Sequence, residues 1–367
     1  MKKSLVFVFK LILAFIILAV LYVGITMLLG TINDFKPEEV IELEVEGKAA
    51  ENVVSDTFLT FANWNVGYGG LGAESNFFYD AGGFLTDKGK MVRAKKEWVN
   101  KNIDGALDFI KNNQADFYLF QEVDRNSKRS YHINQYDKYL GILPGYASTY
   151  SVNYKVGRVP LPILQPWKVM GKMDSGLGTY TRFSPNQSTR FQFPGSYSWP
   201  TRIFQLDRCM AVHRFQTAFG KELIVINTHN SAYDDGSMKK QQMEYMKNLL
   251  IEEYEKGNYV VVGGDWNQCP PYFKYDTFSK GAGGKGYSQL NIDPEFLPAD
   301  WIWAYDPVVP TNRKLTDTYV KEESFQTLID YYLVSPNVEV VSVKGVDQDF
   351  QFSDHQPVML KVRLKTE

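Results

Sequence analysis

After an apolar start, hydrophobic and polar positions fall into strand-like and helix-like segments. Residues Leu11 to Leu29 form an uncharged, mostly apolar run, about the ~20 residues that a helix needs to cross a bilayer. From Thr31 to Asp56 the chain is acidic and polar with one proline. That suits a tether or a first edge strand better than a core element, so 31–56 is expected as a linker. Short apolar or alternating runs then predict strands at Phe58–Val66, Asp116–Val123, Gly176–Phe183, Arg202–Val212, Glu222–Asn227, Val260–Gly263, Gln326–Ser335 and Val358–Val362. Helical periodicity replaces alternation twice. Trp98, Ile103, Leu107 and Ile110 share a face between Met91 and Asn112, and Met243, Met246, Leu250 and Tyr254 share one between Ser237 and Tyr254. Both predict helices covering a sheet.

Charge gives the apolar run a direction. Lys2, Lys3 and Lys10 precede it and Asp34, Glu38, Glu39 and Glu42 follow, which predicts a single-pass helix over 1–30 with its N-terminus inside. The domain at 57–367 would then lie outside the cell membrane. The run is longer than the apolar part of a cleaved signal peptide and lacks an Ala-x-Ala-like exit. With no cysteine after it, a lipid anchor at that point is excluded. A hydrophobic content of 44%, of which aromatic residues make 15% of the chain, provides a sizeable core. The formal charge of −2 gives no general attraction to polyanions. Cys209 and Cys269 are too few for a disulfide framework and read as two free buried thiols.

The chemistry sits where strands end. Val260-Val261-Val262 empties through Gly263-Gly264 into Asp265-Trp266-Asn267, a carboxylate followed two residues on by a carboxamide. Phe58–Val66 ends on Asn65, with Asn63 on the same face as a competitor. Asp116–Val123 ends on Glu122, which as a single instance reads as a solvent-facing side chain. The next strand carries Arg182 near its end, and another runs into Thr228-His229-Asn230. Asp330, expected in mid-strand, needs a buried partner, and the Ser353-Asp354-His355 turn provides one.

Several carboxylates with carboxamides, two histidines and no cysteine cluster suit an oxygen-ligated divalent ion such as Mg²⁺, with Mn²⁺ or Ca²⁺ as substitutes, and not structural zinc. No Gly-x-Ser-x-Gly elbow accompanies the histidines, which disfavours a serine nucleophile. The glycine-rich segment through Gly70, Gly72, Gly82 and Gly83 is a surface loop, and no Lys-Ser or Lys-Thr closes it as a phosphate loop. The aromatic and proline-rich stretch Tyr146–Trp199 reads as packing residues ahead of a substrate platform. The excursion from Gln268 to Asp300 is expected to be a rim loop.

Trp64-Asn65-Val66, Gln121-Glu122, Asn227-Thr228-His229, Gly264-Asp265-Trp266-Asn267, Ile329-Asp330-Tyr331 and Ser353-Asp354-His355 occur in an order that resembles the endonuclease/exonuclease/phosphatase (DNase I-like) superfamily. The chain looks like a membrane-anchored bacterial member. The resemblance implies a four-layer α/β sandwich, with two mainly antiparallel β-sheets face to face and helices outside, that performs metal-assisted phosphoester hydrolysis. By position, Glu122 and Asp354 would hold Mg²⁺, and Asn65 would orient the metal or the phosphate. Asp265 would activate the attacking water with Asn267 beside it. His355, oriented by Asp330, would contact the phosphate or act as base, and His229 would stabilise the transition state or assist the leaving group. Asn230 and Arg182 are expected to meet substrate. Relatives of this kind cleave DNA, dephosphorylate inositol lipids or split sphingomyelin. The sequence thus predicts a monomeric phosphodiesterase with nuclease-like activity slightly ahead of a lipid-directed phosphodiesterase or inositol-phosphate phosphatase. A catalytically silent phospholigand-binding module is the rival from another class.

Overall fold

The computed structural model describes residues 2–232, 236–279 and 290–366. It begins with α1 (Lys2–Ile32), long and apolar enough to cross a membrane and not buried in the rest of the protein. Then come β1 (Val40–Glu42), β2 (Val45–Gly47), β3 (Phe58–Asn65), α2 (Lys96–Asn112), β4 (Phe117–Asp124) and α3 (Gln135–Leu140). The middle of the chain supplies β5 (Ala147–Val159), β6 (Gly171–Thr181), β7 (Gln187–Gln192), β8 (Cys209–Gln216) and β9 (Glu222–His229). After α4 (Ser237–Glu255) follow β10 (Tyr259–Asp265), β11 (Ile302–Ala304), β12 (Asn312–Arg313), β13 (Gln326–Thr327), β14 (Asp330–Val334), β15 (Val338–Gly345) and β16 (Val358–Leu364).

Two seven-stranded sheets result, ordered β1-β7-β8-β9-β10-β14-β11 and β15-β16-β3-β4-β6-β5-β2. Each is antiparallel except for one parallel pair, β9–β10 in the first and β3–β4 in the second. A parallel pair needs a crossover, and these are α4 and α2. The β-branched and aromatic runs explain the layering. Leu59, Phe61, Phe117 and Leu119 of one sheet pack on Val225, Val261, Tyr332 and Val334 of the other. Met243, Met246 and Leu250 of α4 cover the outer face of the first sheet, and Val99, Ile103, Ala106 and Ile110 of α2 cover that of the second. The structure is therefore the expected α/β sandwich.

The structure decides or corrects several details of the sequence expectations. The segment 31–56 takes the edge-strand alternative twice over, because β1 extends one sheet and β2 the other, with Val54 fully buried between them. Acidic residues are compatible with it because an edge strand exposes one face to solvent. In α2 the buried stripe runs through Val99 and Ala106, while Trp98 and Leu107 stand at its margin. The strand expected at Arg202–Val212 begins at Cys209, after a 3-10 turn at Thr201–Phe204. Cys209 and Cys269 are buried free thiols.

Candidate active site

Each parallel pair delivers polar side chains at its C-terminal edge, and the two edges meet. The Gly263-Gly264 pair permits the approach. A Cβ at Gly263 would lie 2.8 Å from Leu119 Cδ1 of the other sheet, and one at Gly264 would lie 2.1 Å from the Thr228 carbonyl oxygen of neighbouring β9. Below the site, Gln121 donates from Nε2 to Asn63 Oδ1 (2.9 Å) and Asn227 Oδ1 (2.8 Å), and Asn63 donates to the Gly264 carbonyl at 3.1 Å. These three buried carboxamides tie sheet to sheet, so Asn63 is part of the floor and not of the site.

Asp265, almost fully buried, is the most connected group above that floor. Its Oδ2 accepts from Asn65 Nδ2 at 3.0 Å and lies 3.3 Å from His229 Nε2, and its Oδ1 accepts from the Asn267 backbone at 2.9 Å. Asn267 holds a left-handed φ of 51°, which asparagine tolerates, and its side chain donates to the Asn230 carbonyl at 3.0 Å. Asn65 also caps the following turn, since Gly67 N–H donates to its Oδ1 at 3.0 Å.

Opposite Asp265 stands His355, whose Nδ1 lies 2.8 Å from Asp330 Oδ2 and whose Nε2 lies 3.8 Å from Asp265 Oδ2. Asp330 opens β14, facing Asp265 across the β10–β14 pair; the strand is shorter than expected and brings it to the edge. Burial pulls the His355 imidazole down, but the Asp330, Asp265 and Asp354 carboxylates outweigh it and hold its pKa well above the ordinary value. His229 behaves oppositely. Burial, then the positive charges of Arg208, His355 and Arg129, hold its pKa well below the ordinary value. Its Nδ1 is buried without a hydrogen-bond partner among the described residues.

Glu122 and Asp354 form the second part of the site. Glu122 occupies a bulge in β4, where the register with β6 shifts between Phe120 and Val123, and its φ is 53°. A glutamate in that conformation costs on the order of 1–3 kcal/mol, a strain found at functional sites. Its Oε2 lies 3.9 Å from Arg129 Nη1. The Asp354 carboxyl is pushed up to about 7 by burial and by Glu122, against the pull of His355 and Arg313. Among the described residues no cation is hydrogen-bonded between these two neighbouring carboxylates, and such a donor set is one that a divalent ion fits. Asp265, Asp330 and His355 also lie close enough to share an ion. There, however, Asp330 Oδ2 is already occupied by the histidine, so an Asp–His pair describes the contact better.

Asn65, Glu122, His229, Asp265, Asn267, Asp330, Asp354 and His355 are thus brought together. Two expected substrate ligands are not. Arg182 lies beyond the opposite end of β6, held by Asp116 at 2.6 Å, Asp56 at 2.9 Å and Glu51 at 3.4 Å. Because β6 runs antiparallel to β4, its C-terminal end points away from the site. The Asn230 side chain turns inward, accepting from Thr228 Oγ1 at 2.7 Å and facing Met243 Sδ at 3.3 Å; only its carbonyl supports Asn267.

Sequence reasoning missed several neighbours. Asn312 places its amide 3.0 Å from His355 Nε2. Arg129 is fixed by Asp124 at 2.9 Å and stacks 3.7 Å from the Tyr68 ring. Ser353 Oγ ties the last turn to the Asn65 carbonyl at 2.8 Å. Arg129 lies in a turn after β4 and Asn312 in the two-residue β12, and Ser353 entered only as part of its motif; none ends an apolar run, so the strand-end signal could not give them a role. Of the expected rim loop at 268–300, residues 280–289 lie outside the described residues.

Comparison with known proteins agrees with this geometry. The Endonuclease/Exonuclease/phosphatase family profile matches residues 62–355, and the chain belongs to that family, a class of enzymes that hydrolyse phosphoester bonds. Among solved structures, a family protein from Bacteroides vulgatus shares 16% identity with a TM-score of 0.51, covering 84% of this chain and 99% of that one. The human Nocturnin catalytic domain shares 16% identity with a TM-score of 0.51, covering 88% and 97%. ANGEL2, a 2',3'-cyclic phosphatase, shares 14% identity with a TM-score of 0.51, covering 90% and 100%. At such identities the likeness is one of fold. No curated protein matches the chain.

Proposed function

We propose that this protein is a Mg²⁺-dependent phosphodiesterase, anchored by α1 with its catalytic domain outside the membrane. The observation that carries the reading is Asp265, held by Asn65, His229 and the Asn267 backbone directly opposite an Asp330–His355 pair. Glu122 and Asp354 would hold the ion, with Mn²⁺ or Ca²⁺ as substitutes. When bound, the ion neutralises phosphate charge and stabilises the leaving oxygen.

The side chains supply the rest. Asp265 accepts a proton from water and orients it, while Asn65 and His229 keep the carboxylate in a single position. His355, fixed by Asp330, presents Nε2 to the phosphate oxygens, and Asn267 presents its amide edge beside them. Lysines before α1 and acidic residues after it support the outward orientation.

The test is hydrolysis of bis-p-nitrophenyl phosphate by the full chain in detergent, with Mg²⁺ and with EDTA. Turnover that requires Mg²⁺ and falls at least ~10³-fold in Asp265→Ala is the expected result. Full activity in EDTA removes the metal assignment, and full activity in Asp265→Ala removes the mechanism.

A further inference from the structure

The end of the molecule that carries the site also carries a group of exposed apolar residues and the exit of α1. β4 and β6 pair at Val123–Gly176 and Asp124–Ser175, so the start of β6, the end of β5 and the 160–170 connection project beyond the Glu122 edge. That hairpin tip exposes Leu164 (60%) and Trp167 (73%). The loop after the glycine-rich segment is bonded to it, with Ile163 N–H donating to the Phe84 carbonyl at 3.1 Å and Leu164 N–H to the Leu85 carbonyl at 2.9 Å; Phe84 and Leu85 are themselves exposed. Along the hairpin's flank, Tyr154 hydroxyl donates to the Phe204 carbonyl at 3.1 Å, fixing the turn that follows exposed Trp199.

The helix leaves the membrane against these same elements. Trp199 Nε1 donates to Thr31 Oγ1 at 3.1 Å, Arg202 Nη2 lies 3.3 Å from Asp34, and Gly30 packs on Ile203 and Phe204. Ile32 to Lys36 share a cleft with Lys155, Gly157 and Lys172 of the hairpin. Residues 33–39 are the whole connection to β1, a reach of at most roughly 25 Å at ~3.5 Å per residue. A domain so tied cannot turn its site far from the bilayer. Arg93, Arg158 and Lys172 are exposed on the segments that flank the apolar tips, and Lys168 beside them is paired with Asp87 at 2.7 Å. Apolar and aromatic side chains with a cationic collar match an anionic lipid interface.

From this juxtaposition we infer that the rim of the site is a membrane-docking surface: Leu164, Trp167, Phe84 and Leu85 enter the bilayer that α1 spans and set the catalytic edge against its headgroups. The phosphoester it takes is one displayed at the bilayer surface, not a dissolved polynucleotide. This rests on the phosphodiesterase reading for its chemistry but on geometry alone for the docking.

The test uses the full chain in phosphatidylcholine–phosphatidylglycerol vesicles. Brominated phosphatidylcholine is expected to quench tryptophan fluorescence, with a quenched component lost in Trp167→Phe. Leu164→Ser/Trp167→Ser is expected to lower hydrolysis of vesicle-borne hexadecyl p-nitrophenyl phosphate at least fivefold. Hydrolysis of bis-p-nitrophenyl phosphate in detergent should stay within twofold, which shows that the double variant is folded. An unquenched Trp167 overturns the docking. Equal effects on the two esters, no effect on either, or faster cleavage of a soluble oligonucleotide overturns the interfacial substrate. If neither ester is hydrolysed by the unaltered chain, the proposed function falls, and Trp167 quenching still decides the docking.

Discussion

Asp265 and Glu122 end corresponding strands of two β-α-β units, yet their surroundings are opposite. Asp265 is 2% exposed and held by three groups. The Glu122 side chain is 23% exposed, sits in a strained bulge and has Arg129 only at 3.9 Å. One half is organised before any ligand arrives; the other is a pair of carboxylates whose mutual repulsion a ligand must relieve. The proposed roles would account for the difference: placement of an attacking water requires rigidity, whereas a metal site must admit and release an ion with its hydration.

The sharpest way to break that contrast is to remove its rigid half. Asp265→Ala is expected to cost at least ~10³-fold in kcat at any Mg²⁺ concentration, because the positioned acceptor is lost and no ion replaces it. Glu122→Gln should behave differently. Its activity is expected to recover in part at high Mg²⁺, with the half-activating concentration raised on the order of 10–100-fold. A Mg²⁺ titration of both variants checks the distinction; if excess Mg²⁺ rescues Asp265→Ala and not Glu122→Gln, the two roles must be exchanged.

Gly264→Ala probes the close strand pair inside the rigid half. A Cβ would stand 2.1 Å from the Thr228 carbonyl, so β9 and β10 must part, and a loss of about 1–3 kcal/mol in stability is expected. Thermal unfolding in detergent measures it, and an unchanged midpoint would show that the close approach is dispensable.

How far the sequence disclosed this site depends on strand direction. Asn65, Glu122, His229 and Asp265 were legible because an apolar run ending in a polar residue marks a C-terminal strand end, and the four strands concerned point the same way. The same pattern misled at Arg182, since an antiparallel neighbour carries its C-terminal end to the other edge. Asp330 lies at the start of its strand and reached the site for the complementary reason. Arg129 in the turn after β4, Asn312 in the two-residue β12 and Ser353 in the turn before β16 have surroundings that no local pattern encodes. The edge strands β1 and β2 entered only as an alternative to a tether, because three-residue elements are too short for a period to register.

The effect expected to be silent in activity concerns the floor that both halves share. His213, 1% exposed, lies 3.1 Å from Thr179 Oγ1 and 3.0 Å from Ser188 Oγ, and Thr179 Oγ1 accepts from Asn227 Nδ2 at 3.2 Å. Burial lowers the His213 pKa from 6.5 to about 3. The folded state therefore keeps the ring neutral while the unfolded chain takes up a proton below about 6.5. This contribution is complete above that pH and declines as pH falls toward 3, by about 1.4 kcal/mol per unit. His213→Gln, which keeps a hydrogen-bonding side chain but cannot titrate, is expected to unfold at a temperature less dependent on pH between 6.5 and 4.5 than the unaltered chain. Its Mg²⁺ activation curve should not move, because the floor supports both halves and belongs to neither. A shift in that curve would show that the inter-sheet carboxamides couple to the metal half specifically, and the symmetry assumed for the floor would have to be abandoned.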